Sequence, residues 1–438
     1  MLVAPADAAL VALDTAVHEN APIIAGDRVV WSSDRELAPA TYSTHRIQLR
    51  SAPLAGGAVQ DLPVITVPRS REISPWDLAG SASTIAVRFY EDVMYDGSRD
   101  EIRVSRAGGP FTVLPGPVRP STRISTAGIF TEVASDDVIT TDIGEEPRAY
   151  GDDRIIRHAP EGAPAVVPLP DGADQLSAVV GGDFIAVTVT KGAPASAADS
   201  PGYVAVLDAH TGAELRRIAI PREMVLDEDQ QLLVGDELGY LAVGADGTVV
   251  IGSLAVATKR NPVIGWAAPD ATRFAPVRLP RSIGNRFKVA SGRLAATDSA
   301  GLGSRVVVYA LPSGEQLYAG PRTSDLRFGD AFDGDHVAWS SRECVLVASV
   351  PAPPDTKVPA GPCSSTEVVV RHPSYAHRET PVTVRCVVAP GDACDVRLLV
   401  RTEGVGRVRR LVIPIGAQRR VVVHFPRSVR GYLTVRAS

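Results

Sequence analysis

The fold of this chain is decided by a short stretch, Gly26-Asp-Arg-Val-Val-Trp-Ser-Ser33, which returns nearly verbatim as Gly334-Asp-His-Val-Ala-Trp-Ser-Ser341. Each copy is a turn with Gly or Asp, followed by three or four apolar residues and then by small polar ones. Weaker copies lie between these two. The first apolar residues of all the copies are Val29, Ile85, Val138, Ile185, Leu241, Leu294 and Val337. A pattern that recurs through most of a chain indicates a repeat-built architecture.

The spacing of the copies predicts the kind of repeat. Successive copies lie 56, 53, 47, 56, 53 and 43 residues apart, which is the length of one four-stranded propeller blade. A short apolar run, such as residues 21–25, precedes the Gly/Asp turn and is predicted to be the innermost strand, with the quoted motif as the second. We therefore predict an all-β chain with a seven-bladed β-propeller over residues 1–350; six or eight blades are the alternatives.

The two ends of this region predict how the ring closes. After the seventh motif only Glu343-Cys-Val-Leu-Val-Ala-Ser-Val350 remains, enough for one more strand. The chain opens with Ala9-Leu-Val-Ala-Leu-Asp14, a strand that has no blade of its own. We predict that it supplies the outer strand of the last blade, which removes an exposed sheet edge.

The repeat resembles the TolB-like and WD40-like β-propeller repeats, most closely in the copy at 26–33. The resemblance implies a propeller but no particular ligand. The chain lacks the Trp-Asp ending of WD40 blades and the Ser-Pro-Asp-Gly turns of TolB-type repeats.

The last part of the chain has a different pattern. Residues 351–363 form a Pro-rich linker, and residues 364–438 contain short runs with alternating apolar and polar residues. Such alternation is typical of strands with one buried face, and we predict a small immunoglobulin-like β-sandwich. This segment has 13 Arg, no Lys and 5 acidic residues, hence +8, which leaves −13 for residues 1–363 and −5 for the chain. A basic module could dock on the acidic body or bind an anionic polymer; nucleic acid is disfavoured because no aromatic residues interleave the arginines.

All four cysteines lie in the last quarter of the chain. Proximity favours disulfides Cys344–Cys363 and Cys386–Cys394, the second across a hairpin turn. Zinc is the alternative, but neither pair has the Cys-x₂₋₄-Cys spacing of a zinc knuckle.

The predicted disulfides imply an oxidising compartment. The start, Met1-Leu-Val-Ala-Pro-Ala-Asp-Ala-Ala9, resembles the end of a secretory signal that lacks its charged and apolar regions. We therefore predict an extracellular or cell-surface protein. No run approaches 18 consecutive apolar residues, so no transmembrane segment is predicted.

Catalytic motifs are missing from the sequence. It contains no Gly-x-Ser-x-Gly elbow, no His-Glu-x-x-His helix and no Gly-x-x-x-x-Gly-Lys-Ser/Thr loop. The acidic stretches 96–101 and 330–335 lack the ligand spacing of an EF-hand. We predict no metal and no cofactor.

Propellers commonly bind ligands at the mouth where one blade's outer strand leads into the next innermost strand. The residues that precede the predicted innermost strands are therefore the candidate ligand-binding residues: Glu19, Trp76, Gln175, Asp229, Arg286 and Arg327.

These observations favour a non-enzymatic, monomeric β-propeller that binds a protein or glycan. The alternative is a secreted hydrolase or lyase with its site at the propeller axis, and a third interpretation is a purely structural surface protein. Carboxylates or His clustered across the channel would favour the enzyme. A mouth lined with aromatics and Arg would favour binding.

Overall fold

The computed structural model describes a chain made of β-strands and turns. The described residues are 10–14, 21–33, 44–68, 73–91, 99–114, 131–142, 154–189, 202–220, 240–252, 263–279, 283, 287–298, 304–323, 326–329, 331–341, 344–354, 367–375, 378–388, 393–402, 405–414, 417–426, 432 and 434–437. Throughout these ranges no residue is helical, so no helix among them could cross a membrane.

In chain order the strands are β1 (Leu10–Asp14), β2 (Ile23–Ala25), β3 (Arg28–Ser33), β4 (Thr44–Pro53), β5 (Gln60–Asp61), β6 (Ile65–Pro68), β7 (Ile73–Gly80), β8 (Thr84–Glu91), β9 (Arg99–Arg106), β10 (Thr112–Val113), β11 (Thr131–Ala134), β12 (Asp137–Asp142), β13 (Arg154–His158), β14 (Ala165–Val166), β15 (Ala173–Gly181), β16 (Phe184–Val189), β17 (Tyr203–Asp208), β18 (Glu214–Ala219), β19 (Tyr240–Val243), β20 (Val249–Gly252), β21 (Val263–Ala267), β22 (Ala275–Arg278), β23 (Phe287–Ala290), β24 (Arg293–Asp298), β25 (Arg305–Ala310), β26 (Gln316–Ala319), β27 (Leu326–Arg327), β28 (His336–Ser341), β29 (Cys344–Ser349), β30 (Glu367–Arg371), β31 (Glu379–Val388), β32 (Ala393–Thr402), β33 (Val405–Pro414), β34 (Gln418–His424) and β35 (Thr434–Ala437).

The strands from β1 to β29 form antiparallel sheets that follow one another along the chain, seven of them within the described residues. Most are simple meanders, for example a third sheet with the order β11-β12-β13-β14 and a fourth with β15-β16-β17-β18. The first strands of neighbouring sheets lie against each other: β2 contacts β7, β7 contacts β11, β11 contacts β15, β15 contacts β19, and β19 contacts β23. Sheets stacked in this way are the blades of a β-propeller. The predicted all-β propeller fold is confirmed, and the number of blades in the whole chain stays a prediction.

The ring closes through the first strand of the chain. β1 pairs antiparallel with β29, with Leu10 opposite Ala348 and Val11 opposite Val347, so the last blade has the order β1-β29-β28-β27. β2 also contacts β28, which brings the first and last blades together. The predicted role of this first strand is confirmed for Leu10–Asp14.

The core lies between neighbouring blades. One apolar cluster joins Ile139 and Ile155 of the third blade to Ile185 and Val187 of the fourth. Trp31 and Trp339, from the two strong copies of the motif, are both fully buried. Because each blade packs on both faces, central strands such as β17 are buried continuously from Val204 to Leu207 and do not alternate.

The last part of the chain forms two three-stranded sheets, β30-β31-β34 and β33-β32-β35. Their apolar residues enclose a separate core that includes Val384, Val396 and Leu398. The predicted disulfide Cys386–Cys394 is present in this core. Cys344 is also disulfide-bonded, while its predicted partner Cys363 lies outside the described residues. The immunoglobulin-like assignment and the boundaries at 351–363 and 364–438 stay predictions.

Candidate functional site

The predicted mouth residues are only partly within the described part of the chain. Glu19, Asp229 and Arg286 lie outside it. Trp76 and Gln175 lie in β7 and β15, where the pairing with the next strand shifts register.

Arg327, the remaining predicted mouth residue, lies half-buried in β27 opposite Ser340. The ligand-binding role of the predicted mouth residues therefore stays a prediction.

A cluster of titratable side chains lies instead at the other end of the innermost strands, where the third and fourth blades meet. It consists of Ser135, Asp137, Asp183 and His210. Two kinds of turn carry it. An inner turn joins the first and second strands of a blade, and an outer turn joins the third and fourth.

The two inner turns are shaped by residues with a left-handed backbone. Ser135, between β11 and β12, has φ 51°, and Gly182, between β15 and β16, has φ 58°. An added Cβ on Gly182 would lie 2.7 Å from Cα of Ala245 in the next blade, so this turn requires glycine for space as well as for conformation. The conformation of the two turns places Ser135 and Asp183 within hydrogen-bonding distance of each other.

The outer turn of the fourth blade, 209–213, positions His210. The Asp208 carboxylate accepts hydrogen bonds from the backbone N–H of His210 at 3.1 Å and of Thr211 at 2.7 Å. These bonds and the Thr211 hydroxyl, which also donates to it, lower the pKa of Asp208. An ionised carboxylate therefore fixes the turn on which the imidazole stands.

The imidazole of His210 lies between two carboxylates. Its Nδ1 is 2.7 Å from Oδ2 of Asp137, and its Nε2 is 3.1 Å from Oδ1 of Asp183. Asp137 is buried, with a side-chain exposure of 8%, whereas that of Asp183 is 54%. Arg157 adds a second cation, with its Nε 3.4 Å from Asp137 and its guanidinium donating to the His210 carbonyl. One end of the imidazole is therefore anchored and the other faces solvent.

The pKa values of His210 and Asp183 are shifted in opposite directions. The hydrogen bond to Asp137 is the largest cause that raises the pKa of His210, and the bond to Asp183 adds to it. The hydroxyl of Ser135, which donates to Asp183 at 2.5 Å, is the main cause that lowers the pKa of that carboxyl. A protonated imidazole can donate from both nitrogens, so the arrangement favours imidazolium beside carboxylate.

One contact of this cluster, the hydrogen bond from a serine hydroxyl to an aspartate of the next blade, also occurs elsewhere in the propeller. One blade earlier, the Ser83 hydroxyl donates to Asp136 of the next inner turn, as Ser135 does to Asp183. In the last blade, the imidazole of His336 contacts the exposed Asp333, with Nδ1 3.1 Å from Oδ2. Within the described residues, an imidazole bridging two carboxylates occurs only at His210.

Sequence reasoning missed this site. In the sequence, His210-Thr-Gly-Ala213 has the composition of an ordinary turn, and Asp137 and Asp183 belong to copies of the repeated motif. No group of three or more His, Cys, Asp or Glu side chains in the described ranges is arranged to hold a metal ion.

Comparisons with known proteins return solved structures only, since no protein-family model and no curated protein matches the chain. A chain from an analysis of two prolyl endopeptidases is 16% identical, with a TM-score of 0.47, and the match covers 84% of this chain and 53% of that one. The β-propeller domain of the Trilobed protease from Pyrococcus furiosus is 10% identical, with a TM-score of 0.41, over 78% of this chain and 98% of that one. An acylaminoacyl peptidase from Pyrococcus horikoshii is 11% identical, with a TM-score of 0.41, over 85% and 58%.

These comparisons correct the first functional expectation. The solved chains that match are named as peptidases, which contradicts the expected non-enzymatic binding protein, and the hydrolase alternative is taken up below as a proposal. At these identities the likeness shows the propeller fold alone. This chain spans 53% and 58% of the prolyl endopeptidase and acylaminoacyl peptidase chains.

Proposed function

We propose that this protein is a hydrolase in which His210 and Asp183 act as general acid and general base. The observation that carries the proposal is the His210 imidazole held between the carboxylates of Asp137 and Asp183 at 2.7 and 3.1 Å. Two neighbouring groups whose surroundings move their pKa values in opposite directions are the arrangement that acid–base catalysis needs. Here the pKa of His210 is raised and that of Asp183 is lowered.

The roles follow from exposure. Asp137 is buried and bound to Nδ1, so it orients the ring and is a positioning residue. Asp183 is ionised and exposed, so its carboxylate can accept a proton from a water molecule. The oxygen of that water attacks the carbonyl carbon of the substrate. The Nε2 proton of His210 passes to the leaving group as the bond to the carbonyl carbon breaks.

The first substrates to test are peptides, since the solved chains with the same fold are named as peptidases. The full-length protein is assayed with fluorogenic peptide amides and with the corresponding esters, and His210→Gln is the test variant. General acid–base groups contribute roughly 10²–10⁴-fold in rate, and a loss of that size is expected.

The matched control is His336→Gln, which removes an imidazole from another blade where it contacts a single exposed aspartate. Its hydrolysis rate stays at the wild-type value. Equal rates in wild type and folded His210→Gln, or no turnover of any amide or ester by the wild type, would contradict the proposed function.

The finer sequence predictions are part of the same proposal. The disulfide Cys386–Cys394 supports export to an oxidising compartment, and the repeat pattern supports a seven-bladed TolB-like or WD40-like propeller. The separate core of the C-terminal sheets supports an immunoglobulin-like sandwich. Size-exclusion chromatography with light scattering tests the predicted monomer.

A further inference from the structure

The C-terminal sheets carry an unbalanced concentration of positive charge. From residue 404 to the end, the sequence has eight Arg and no acidic residue. Three of these arginines, Arg407, Arg409 and Arg410, lie in β33 and are exposed. Two more, Arg419 and Arg420, are exposed in β34, which contacts β33.

Little of this charge is neutralised within the protein. Arg410 of β33 forms an ion pair with Asp395 at 3.5 Å, and both side chains are mostly exposed, so the pair contributes little to stability. Within the described part of the chain, Arg407 and Arg409 have no acidic partner. Their exposed guanidinium groups can therefore pair with carboxylates of a partner.

One edge of the β33 backbone also has no hydrogen-bonded partner strand among the described residues. β33 pairs with β32 over its full length, from Val405 opposite Thr402 to Pro414 opposite Ala393. It is the end strand of the sheet β33-β32-β35, and among the described strands none pairs with its other edge. A ten-residue edge of this kind presents free N–H and C=O groups at strand spacing.

Apolar side chains alternate with the charges along this edge. Val408 and Val412 are 50% and 62% exposed, which is unusual for valines in a strand. A partner strand would cover them and would also place side chains of its own beside the arginines.

We propose that β33 is a docking edge for an extended acidic segment of a partner protein, which adds to the sheet as a further strand. A polypeptide is favoured because it uses the unpaired backbone groups, the exposed valines and the arginines together, as in β-strand addition. A nucleic acid or another polyanion would use the arginines alone, and no aromatic residues interleave them to stack bases. This proposal does not depend on the hydrolase activity.

The test uses the full-length protein and a fluorescein-labelled ten-residue peptide of alternating Glu and Val, followed by fluorescence anisotropy at two salt concentrations. Two further peptides carry N-methyl groups on the odd or on the even residues. Only one set of N–H groups can face β33, so one methylated peptide loses up to five donors and should bind at least about tenfold more weakly. The other should bind like the parent.

The protein variant is Arg407→Glu/Arg409→Glu, expected to weaken binding at least tenfold at low salt. Its control is Arg154→Glu/Arg273→Glu, which makes the same charge change at exposed propeller positions and leaves binding unchanged. The proposal is overturned if both methylated peptides bind like the parent, if duplex DNA or polyphosphate binds as tightly as the peptide, or if the peptide does not bind.

Discussion

The indole N–H of Trp31 donates a 3.1 Å hydrogen bond to the carboxylate of Asp14, and this bond crosses the seam where the propeller closes. Asp14 belongs to β1, the outer strand of the last blade, whereas Trp31 belongs to the first. Arg50 of the first blade donates to the same carboxylate at 2.5 Å. Trp31, which recurs as Trp339 in the other strong copy of the motif, therefore also helps to hold the ring closed.

Removal of the Asp14 carboxylate should weaken the closed ring. Asp14→Ala leaves the indole and the buried guanidinium of Arg50 without this acceptor, and breaking such a buried pair costs about 3 kcal/mol. Urea unfolding measures the change in the free energy of unfolding. Asp61→Asn is the matched control, because Asp61 binds the same Arg50 but is 57% exposed; an equal loss in both variants would contradict the seam role.

The close approach of neighbouring blades should make Gly181 irreplaceable. A Cβ there would lie 1.9 Å from the carbonyl oxygen of Val243 in the next blade, so the backbones must move apart. We expect Gly181→Ala to cost about 1–3 kcal/mol of unfolding free energy. In Gly108→Ala the new methyl group has no atom within 4 Å, so the expected loss of unfolding free energy is about 1 kcal/mol, from the left-handed backbone at φ +72° alone. Urea unfolding of both variants gives the comparison, which fails if Gly108→Ala is the more damaging.

The propeller could be predicted because its determinants are local and repeated. Each inner strand, turn and second strand is contiguous, and the unmatched strand at 10–14 indicated how the ring closes. The His210 site could not be predicted in this way, since His210 and Asp137 are 73 residues apart. The angle between two blades determines which outer turn contacts which inner turn. The spacing of the repeat in the sequence does not predict that angle.

The C-terminal disulfide should stabilise its own sheets and leave the propeller unaffected. Cys386 and Cys394 are both fully buried and are separated by eight positions, and closing so short a loop contributes about 2–3 kcal/mol in the entropy model. In Cys386→Ala/Cys394→Ala, hydrogen exchange should accelerate in β30–β35 and stay unchanged in β16 and β17. Faster exchange in the propeller strands as well would contradict a local role.

The hydroxyl of Ser135 should set the acidic limit of the proposed hydrolysis. Its hydrogen bond is the main cause that lowers the pKa of Asp183, so Ser135→Ala raises that pKa. The acidic limb of the pH–rate profile then moves to higher pH, while the maximal rate changes little. Ser83→Ala removes the equivalent hydroxyl one blade earlier and should leave the profile in place. If both variants shift the limb equally, Asp183 is not the base.

The bridge made by His210 should stabilise the junction between the third and fourth blades in a pH-dependent way. Its pKa is raised in the folded protein above the ordinary value of 6.5, chiefly by the hydrogen bond to Asp137. The protonated form is thus bound more tightly by the folded state. Its stabilisation is complete below pH 6.5 and disappears as the pH rises through the folded pKa.

Thermal unfolding of wild type and His210→Gln tests this stabilisation. The difference in melting temperature should be larger at pH 5.5 than at pH 9, and it should shrink in high salt because the site is partly exposed. A difference that is constant over this range would mean that His210 packs without carrying charge. In that case its proposed role as a proton donor would lose its support as well.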